Sequence, residues 1–193
     1  MDASTYVVRA PEIADAAALG RVHCAVWRAT YVDIMSEAAY AALSPEKFEV
    51  GWRRRLAVTD SGAGEGSGST GTTGAGGSGQ STTTEGPVRE VTRLAEHADD
   101  GIVGFISVGP ARDEKAPTSQ QLWVLNLLSG HHGTGLADRL MHDVLGDGPA
   151  YLWVAQGNSR AIRFYHRHGF AEDGGQTTDE HDGITEIRMI RHG

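Results

Sequence analysis

The chain has a single cysteine, Cys24, so no internal disulfide can staple it. Cys24 sits in an apolar stretch, where a small core residue is expected and not a nucleophile. Cations are scarce as well: 17 Lys and Arg against 25 Asp and Glu leave a net charge of -8. That balance argues against a nucleic-acid partner, because phosphate contacts need clustered Lys and Arg. No apolar run approaches the ~18 residues of a membrane span. Met1-Asp-Ala-Ser-Thr5 has neither a basic n-region nor an apolar core, so no secretory leader is expected and the chain reads as cytoplasmic. Metal-ligand spacing is missing too. His131 and His132 are adjacent and point apart, His166 and His168 are not four apart, and no cysteine or carboxylate completes a set, so no metal is expected.

One stretch lacks nearly everything a core needs. From Ser61 to Gly86, 21 of 26 residues are Gly, Ser or Thr, with no aromatic and no Ile, Leu or Val. It cannot bury enough apolar area to offset ordering, and a flexible loop is expected. The pieces on either side are each too small to hold a core. Residues 1–193 therefore read as a single domain carrying an insertion at 61–86.

The rest alternates between strand and helix periods. Tyr6-Val-Val-Arg9 predicts an edge strand, followed by a helix from about Ile13 to Tyr31 with Ile13, Ala16, Leu19, Val22, Cys24, Val26 and Trp27 inward. Helices over Ser36–Leu43 and Pro45–Val58 follow, with Trp52 in the core and Arg53-Arg54-Arg55 solvated. Arg89–Ala95 and Ile102–Pro110 form a hairpin turning at Asp100-Gly101. Leu122–Leu128 is a largely buried strand, and Leu136, Leu140 and Val144, with Ala137, Met141 and Leu145 beside them, make one stripe of a helix. Tyr151–Val154 is a strand. Asn158 or Ser159 caps a helix that Gly169 ends. Gly174-Gly175 and His181-Asp-Gly183 frame a last hairpin returning through Thr185–Ile190.

Between Leu128 and Leu136 lies Ser129-Gly-His-His-Gly-Thr-Gly135. A strand, a glycine turn and a helix N-terminus make an anion site, because the first helical N–H groups have no partner within the helix. Gly133 and Gly135 allow positive φ and let a ligand lie on the backbone. A P-loop would end in Gly-Lys-Ser/Thr, and no lysine occurs here; a dinucleotide fold would want G-x-G-x-x-G with an acid about 20 positions on. His132-Gly133-Thr134-Gly135-Leu136-Ala137 instead resembles the acetyl-coenzyme A pyrophosphate loop of the GNAT superfamily, Q/R-x-x-G-x-G/A. His132 departs from Gln or Arg, and Ser129 stands where members often have proline. Asn158, Ala161, Phe164, Tyr165, Gly169 and Phe170 match the second GNAT signature, N-x-x-A-x-x-F-Y-x-x-x-G-F, in the expected order and separation.

The resemblance implies an α/β (α+β type) GNAT fold, a mixed, mostly antiparallel sheet flanked by helices, with strands 4 and 5 splayed. It implies an N-acetyltransferase moving acetyl from acetyl-coenzyme A directly to a primary amine. The pantetheine arm would pair with backbone of Leu125, Asn126 and Leu127, and Leu127 N–H would polarise the thioester carbonyl. His132, Gly133, Thr134, Gly135, Leu136, Ala137 and Asp138 would hold the pyrophosphate, Asn158 would bond the arm or cap its helix, and Tyr165 would protonate the leaving thiolate. Trp27 and Tyr31 are candidate acceptor contacts. Many relatives place a glutamate general base where Gln121 stands; a water chain or a loop carboxylate such as Glu172 is the substitute. The acceptor is left open among aminoglycosides, polyamines, amino-acid derivatives and protein N-termini or lysines, as is the choice between monomer and homodimer. A non-catalytic acyl-coenzyme A-binding module and a nucleotide-binding protein are the competing functions.

Overall fold

The computed structural model describes residues 5–61 and 88–193. Beyond Ser61, the insertion expected at 61–86 lies outside the described residues. There are seven strands, β1 (Tyr6–Arg9), β2 (Val91–His97), β3 (Gly101–Pro110), β4 (Gln120–Leu127), β5 (Ala150–Ala155), β6 (Ala171–Thr178) and β7 (Thr185–Arg191). Five helices accompany them, α1 (Ala16–Tyr31), α2 (Glu37–Ala41), α3 (Pro45–Ser61), α4 (Leu136–Leu145) and α5 (Ser159–Arg167). The strands form one sheet in the order β1-β2-β3-β4-β5-β7-β6. Every neighbouring pair is antiparallel except β4 and β5, so the expected mixed, mostly antiparallel sheet is what forms.

β3 is buried from Val103 to Gly109 because helices cover both of its faces, which is why its sequence is nearly all apolar. On one face Leu136, Leu140, Met141 and Leu145 of α4, with Tyr165 of α5, pack against Val103, Leu152 and Met189. On the other, Leu19, Val22, Trp52 and Leu56 of α1 and α3 pack against Leu94 and Phe105. Leu136 and Leu140 are fully buried, each contributing about 2 kcal/mol of transfer free energy. Cys24 is a buried free thiol among Met35, Leu43 and Ile184.

Several local expectations are corrected. The first helix begins with a single 3₁₀ turn, Ile13–Asp15, closed by a capping box with Glu12 and an ion pair from Arg9 to Asp15 at 2.7 Å. That tighter turn takes Ile13 out of register with the α1 stripe, and it is 52% exposed instead of core. Gly20 stands on the inner face of α1, where a Cβ would lie 2.7 Å from the Pro45 carbonyl of α3. The two helices approach backbone to backbone there. Gly174-Gly175 do not frame the last hairpin; they lie in a bulge of β6, where the register against β7 shifts between Glu172 and Gln176. Arg55 is not simply solvated, since its Nε pairs with Glu90 at 3.2 Å and its guanidinium covers Trp52 and Trp123.

Candidate active site

The site begins where the sheet comes apart. β4 and β5 are in register at Gln121–Tyr151 and Leu122–Leu152 and no further, so from Trp123 onward the two strands diverge. Leu128 N–H donates to the Val103 carbonyl at 2.9 Å. With Gly104 opposite Leu127 and Phe105 opposite Asn126, antiparallel alternation then turns the main-chain groups of Leu125 and Leu127 away from β3 and into the gap. Asn126 is placed differently: its main chain faces β3, and its side-chain Nδ2 is buried with no hydrogen-bond partner among the described residues.

Below the gap, the Ser129–His131 turn is tied to the sheet by His131, which is buried. Its Nδ1 accepts from the Tyr6 hydroxyl at 2.9 Å and its Nε2 faces Asp100 at 3.5 Å. The chain then passes through Gly133 (φ 75°) and Gly135 (φ 81°), the left-handed backbone that only glycine adopts without cost, and enters α4. Thr134 Oγ1 donates to the His131 carbonyl at 2.9 Å and accepts from Leu136 N–H at 3.4 Å. Thr134 and Leu136 thus hold the turn together and do not line the groove in front of it. That groove, about 230 Å³, is lined by Leu125, Leu127, His132, Gly133, Gly135, Ala137 and Asp138, and across from them by Arg160, Arg163, Tyr165 and Arg167 of α5.

His132 occupies the Gln/Arg position of the motif. Its Nε2–H donates to the Leu127 carbonyl at 3.0 Å, which leaves the unprotonated Nδ1 to accept from the Arg160 guanidinium. Burial and then the neighbouring Arg160 lower its pKa, so this tautomer is neutral near pH 7. Sequence reasoning passed over Arg160, Arg163 and Arg167, although spacings of three and four put them on one face of a helix. Asp138 carries a hydrogen bond from His168 Nε2 at 3.0 Å.

On the opposite face of the sheet is a second cavity of about 310 Å³, walled by Trp27, Tyr31, Trp123 and Trp153, with Asn126, Asn158 and Glu186 reaching it. Trp27 and Tyr31, singled out from sequence, do meet there. Tyr165 lines both cavities. Its hydroxyl makes no hydrogen bond among the described residues, and burial above all, then Tyr31, raises its pKa. The Tyr31 phenol is pushed up to about 12 by burial and by Glu186. Glu186 is itself raised, by burial first and then by Asp182 and Asp179. His23 is held near 4 by burial, with Arg55 adding to the effect. Asn158 caps α5, its Oδ1 accepting from Ala161 N–H at 3.1 Å.

Gln121 is buried and accepts from the Tyr151 hydroxyl at 2.9 Å. Glu172 is exposed on β6, 3.9 Å from His166 Nε2, and borders neither cavity. The carboxylate that reaches the aromatic cavity is Glu186. The alternation of Thr185-Glu-Ile-Arg188, which sends 186 and 188 to one face, is the sequence signal that marks it.

A sheet opened between its parallel strands, with a glycine turn and a helix N-terminus at one side of the opening, is the arrangement of the GNAT acetyltransferase fold. The family model described as an acetyltransferase (GNAT) domain matches residues 90–172, from the approach to β2 to the start of β6. An uncharacterized N-acetyltransferase of Mycobacterium tuberculosis is 39% identical over 95 residues, covering 46% of this chain and 58% of its own length. The matched region is thus little more than half of that relative. Among solved structures, the PaiA N-acetyltransferase of Thermoplasma acidophilum, in complex with coenzyme A, superposes with a TM-score of 0.65 at 19% identity, covering 97% of this chain and 99% of that one. A GCN5-related N-acetyltransferase of Rhodopseudomonas palustris gives 0.63 at 16% identity, covering 100% and 99%. At these identities the superpositions speak for the fold alone.

Proposed function

We propose that this chain is an N-acetyltransferase that moves the acetyl group of acetyl-coenzyme A directly to an amine, and that the whole chain acts as one domain. The observation that carries the activity is Tyr165, which stands in the wall shared by the phosphate-side groove and the aromatic cavity. For the single domain, β1 and β2, from either side of the undescribed segment, pair along Tyr6–His97 to Arg9–Leu94.

The residues fit coenzyme A. The main-chain groups of Leu125 and Leu127 open into the gap as a strand edge would, and an extended pantetheine arm can pair with them. The turn at Gly133 and Gly135, the start of α4, and Arg160, Arg163 and Arg167 supply N–H donors and cations for the phosphates. Acetyl-coenzyme A contributes a thioester, whose carbonyl the Leu127 amide is placed to polarise; a fixed donor of this kind is typically worth ~3 kcal/mol in the transition state.

Glu186 takes the proton from the amine nitrogen as the N–C bond forms, and Tyr165 gives one to sulfur as the C–S bond breaks, so the proton count closes. A carboxylate pushed above its ordinary range is a stronger base, and a phenol pushed up holds its proton at neutral pH. Gln121 cannot take this role, because its amide is not a proton acceptor near neutral pH. Release of coenzyme A thiol, measured with a panel of amines, tests the reading. A protein that binds acetyl-coenzyme A yet acetylates no amine is the result that sinks it.

A further inference from the structure

Resting on that reading, we propose that the acceptor is a small amine that also carries a carboxylate, and that Arg55 and Arg112 hold this carboxylate at the rim of the aromatic cavity. Arg112 stacks on Trp123, its guanidinium carbon 3.6 Å from the ring centroid. The Arg55 guanidinium lies 5.5 Å from the same centroid. Both line the cavity that holds Glu186 and Tyr165. Two cations beside one ring repel each other: burial first and then Arg55 lower the pKa of Arg112, with Glu90 opposing them. Glu90 pairs with Arg55 at 3.2 Å, whereas the Arg112 guanidinium has no hydrogen bond or ion pair among the described residues. The nearby carboxylate of Asp113 is taken: it accepts from Trp153 Nε1 at 3.0 Å and lies 3.8 Å from Arg188. One positive charge is left over, on a planar fork whose geometry matches a carboxylate.

Arg112 is also held in place. Its backbone N–H donates to Gln121 Oε1 at 3.1 Å and to the Tyr151 hydroxyl at 3.2 Å, and Tyr151 donates to Gln121 at 2.9 Å. The platform under it is built in as well. Trp123 packs over Gly109, where a Cβ would fall 2.3 Å from the indole. A buried glutamine, a buried tyrosine and a glycine thus hold in place a cation that pairs with no carboxylate among the described residues. The cavity is bipolar, with Glu186 and the orphaned Asn126 Nδ2 inward and the guanidinium pair at the rim. A polyamine, cationic along its length, would meet that pair as repulsion. An amine with a carboxylate meets a partner at each end.

The test pairs each of the twenty amino acids with its carboxamide as acceptors, following coenzyme A release, with calorimetry of the matching N-acetyl acids and N-acetyl amides against the coenzyme A-bound protein. At least one acid should exceed its carboxamide by tenfold or more in kcat/KM, chiefly through KM, and its N-acetyl product should bind with the same preference. Arg112→Met should bring the acid down to the carboxamide's level, and Arg112→Lys, which keeps charge but loses the fork, should restore part of the difference. Equal use of acids and amides, or faster use of polyamines, overturns the carboxylate subsite while the acetyltransferase reading stands. Absence of transfer to every amine, in protein that binds coenzyme A, overturns the acetyltransferase reading; equal binding of N-acetyl acids and amides in that case overturns the subsite as well.

Discussion

Gly133→Ala separates what the glycine turn does for the fold from what it does for a ligand. The backbone there has φ 75°, and a Cβ at this position meets nothing within 4 Å. The substitution therefore costs the free protein only the left-handed penalty, about 1–2 kcal/mol for a residue with a side chain. For a chain of this size that lowers the melting temperature by roughly 2–8 °C. In the complex the added methyl faces the groove and lifts the phosphate off the main chain. Loss of one hydrogen bond to a charged group, about 1.5–3 kcal/mol, weakens coenzyme A by roughly ten- to a hundredfold. Gly146→Ala is the control. Gly146 has φ 62° and ψ -158° and caps the far end of α4, about 15 Å away along the helix, and its Cβ too meets nothing within 4 Å. It should melt at least as early and bind coenzyme A as wild type does. Calorimetric titration well below the melting point reads both. Equal affinity of folded Gly133→Ala and wild type would refute the idea that phosphates lie on this turn.

Tyr165→Phe should lower kcat by roughly 10²-fold while coenzyme A affinity stays within a few-fold, and a deficit that shrinks at high pH, where thiolate leaves unprotonated, would mark the lost step as proton donation; equal kcat at pH 6 to 9, with chemistry rate-limiting, removes Tyr165 from the mechanism. Glu186, raised above its ordinary 4.5 by burial, contributes stability below that value and loses it as pH climbs through its folded pKa. Glu186→Gln should therefore melt higher than wild type at neutral pH, with the difference vanishing in acid, while kcat falls; a neutral-pH melting temperature at or below wild type contradicts the assignment. Gly20→Ala drives a Cβ to 2.7 Å from Pro45 O and 2.8 Å from Glu49 N, so it should lose several degrees of melting temperature, whereas exposed Gly51→Ala in α3, with open space around it, should gain slightly. Indistinguishable scans for the two would mean that α1 and α3 are not held at that separation.

Legibility followed periodicity and covalent chemistry. α4 could be read from the recurrence of Leu136, Leu140 and Val144, and the glycine turn from the demand for positive φ at 133 and 135, because both are set by neighbours in sequence. The motif singled out Tyr165, which lies in the wall of both cavities. The unread residues owe their positions to pairings across the sheet. Glu186 enters the cavity only because β7 inserts between β5 and β6, and Arg112 stacks on Trp123 only because β3 and β4 bring Gly109 opposite Gln121. Gln121 was singled out as a base that could not work. Its hydrogen bonds to Tyr151 and Arg112 are contacts 30 and 9 residues away, invisible to any local pattern. Ile13 was misplaced because a capping box tightened one turn before the helix.

The short pairing of β4 with β5 gives this sheet an edge in its middle. Open edges are usually a hazard, since unpaired amides template association with other chains. Here the row of amides at Leu125 and Leu127 lies between α5 and the aromatic wall of α1. Those two amides should therefore exchange with solvent deuterium like fringe positions in the free protein, despite four strands' worth of sheet on one side of them and three on the other. Coenzyme A should slow them selectively and raise the melting temperature by mass action. On this view the sheet becomes continuous only while its ligand is bound.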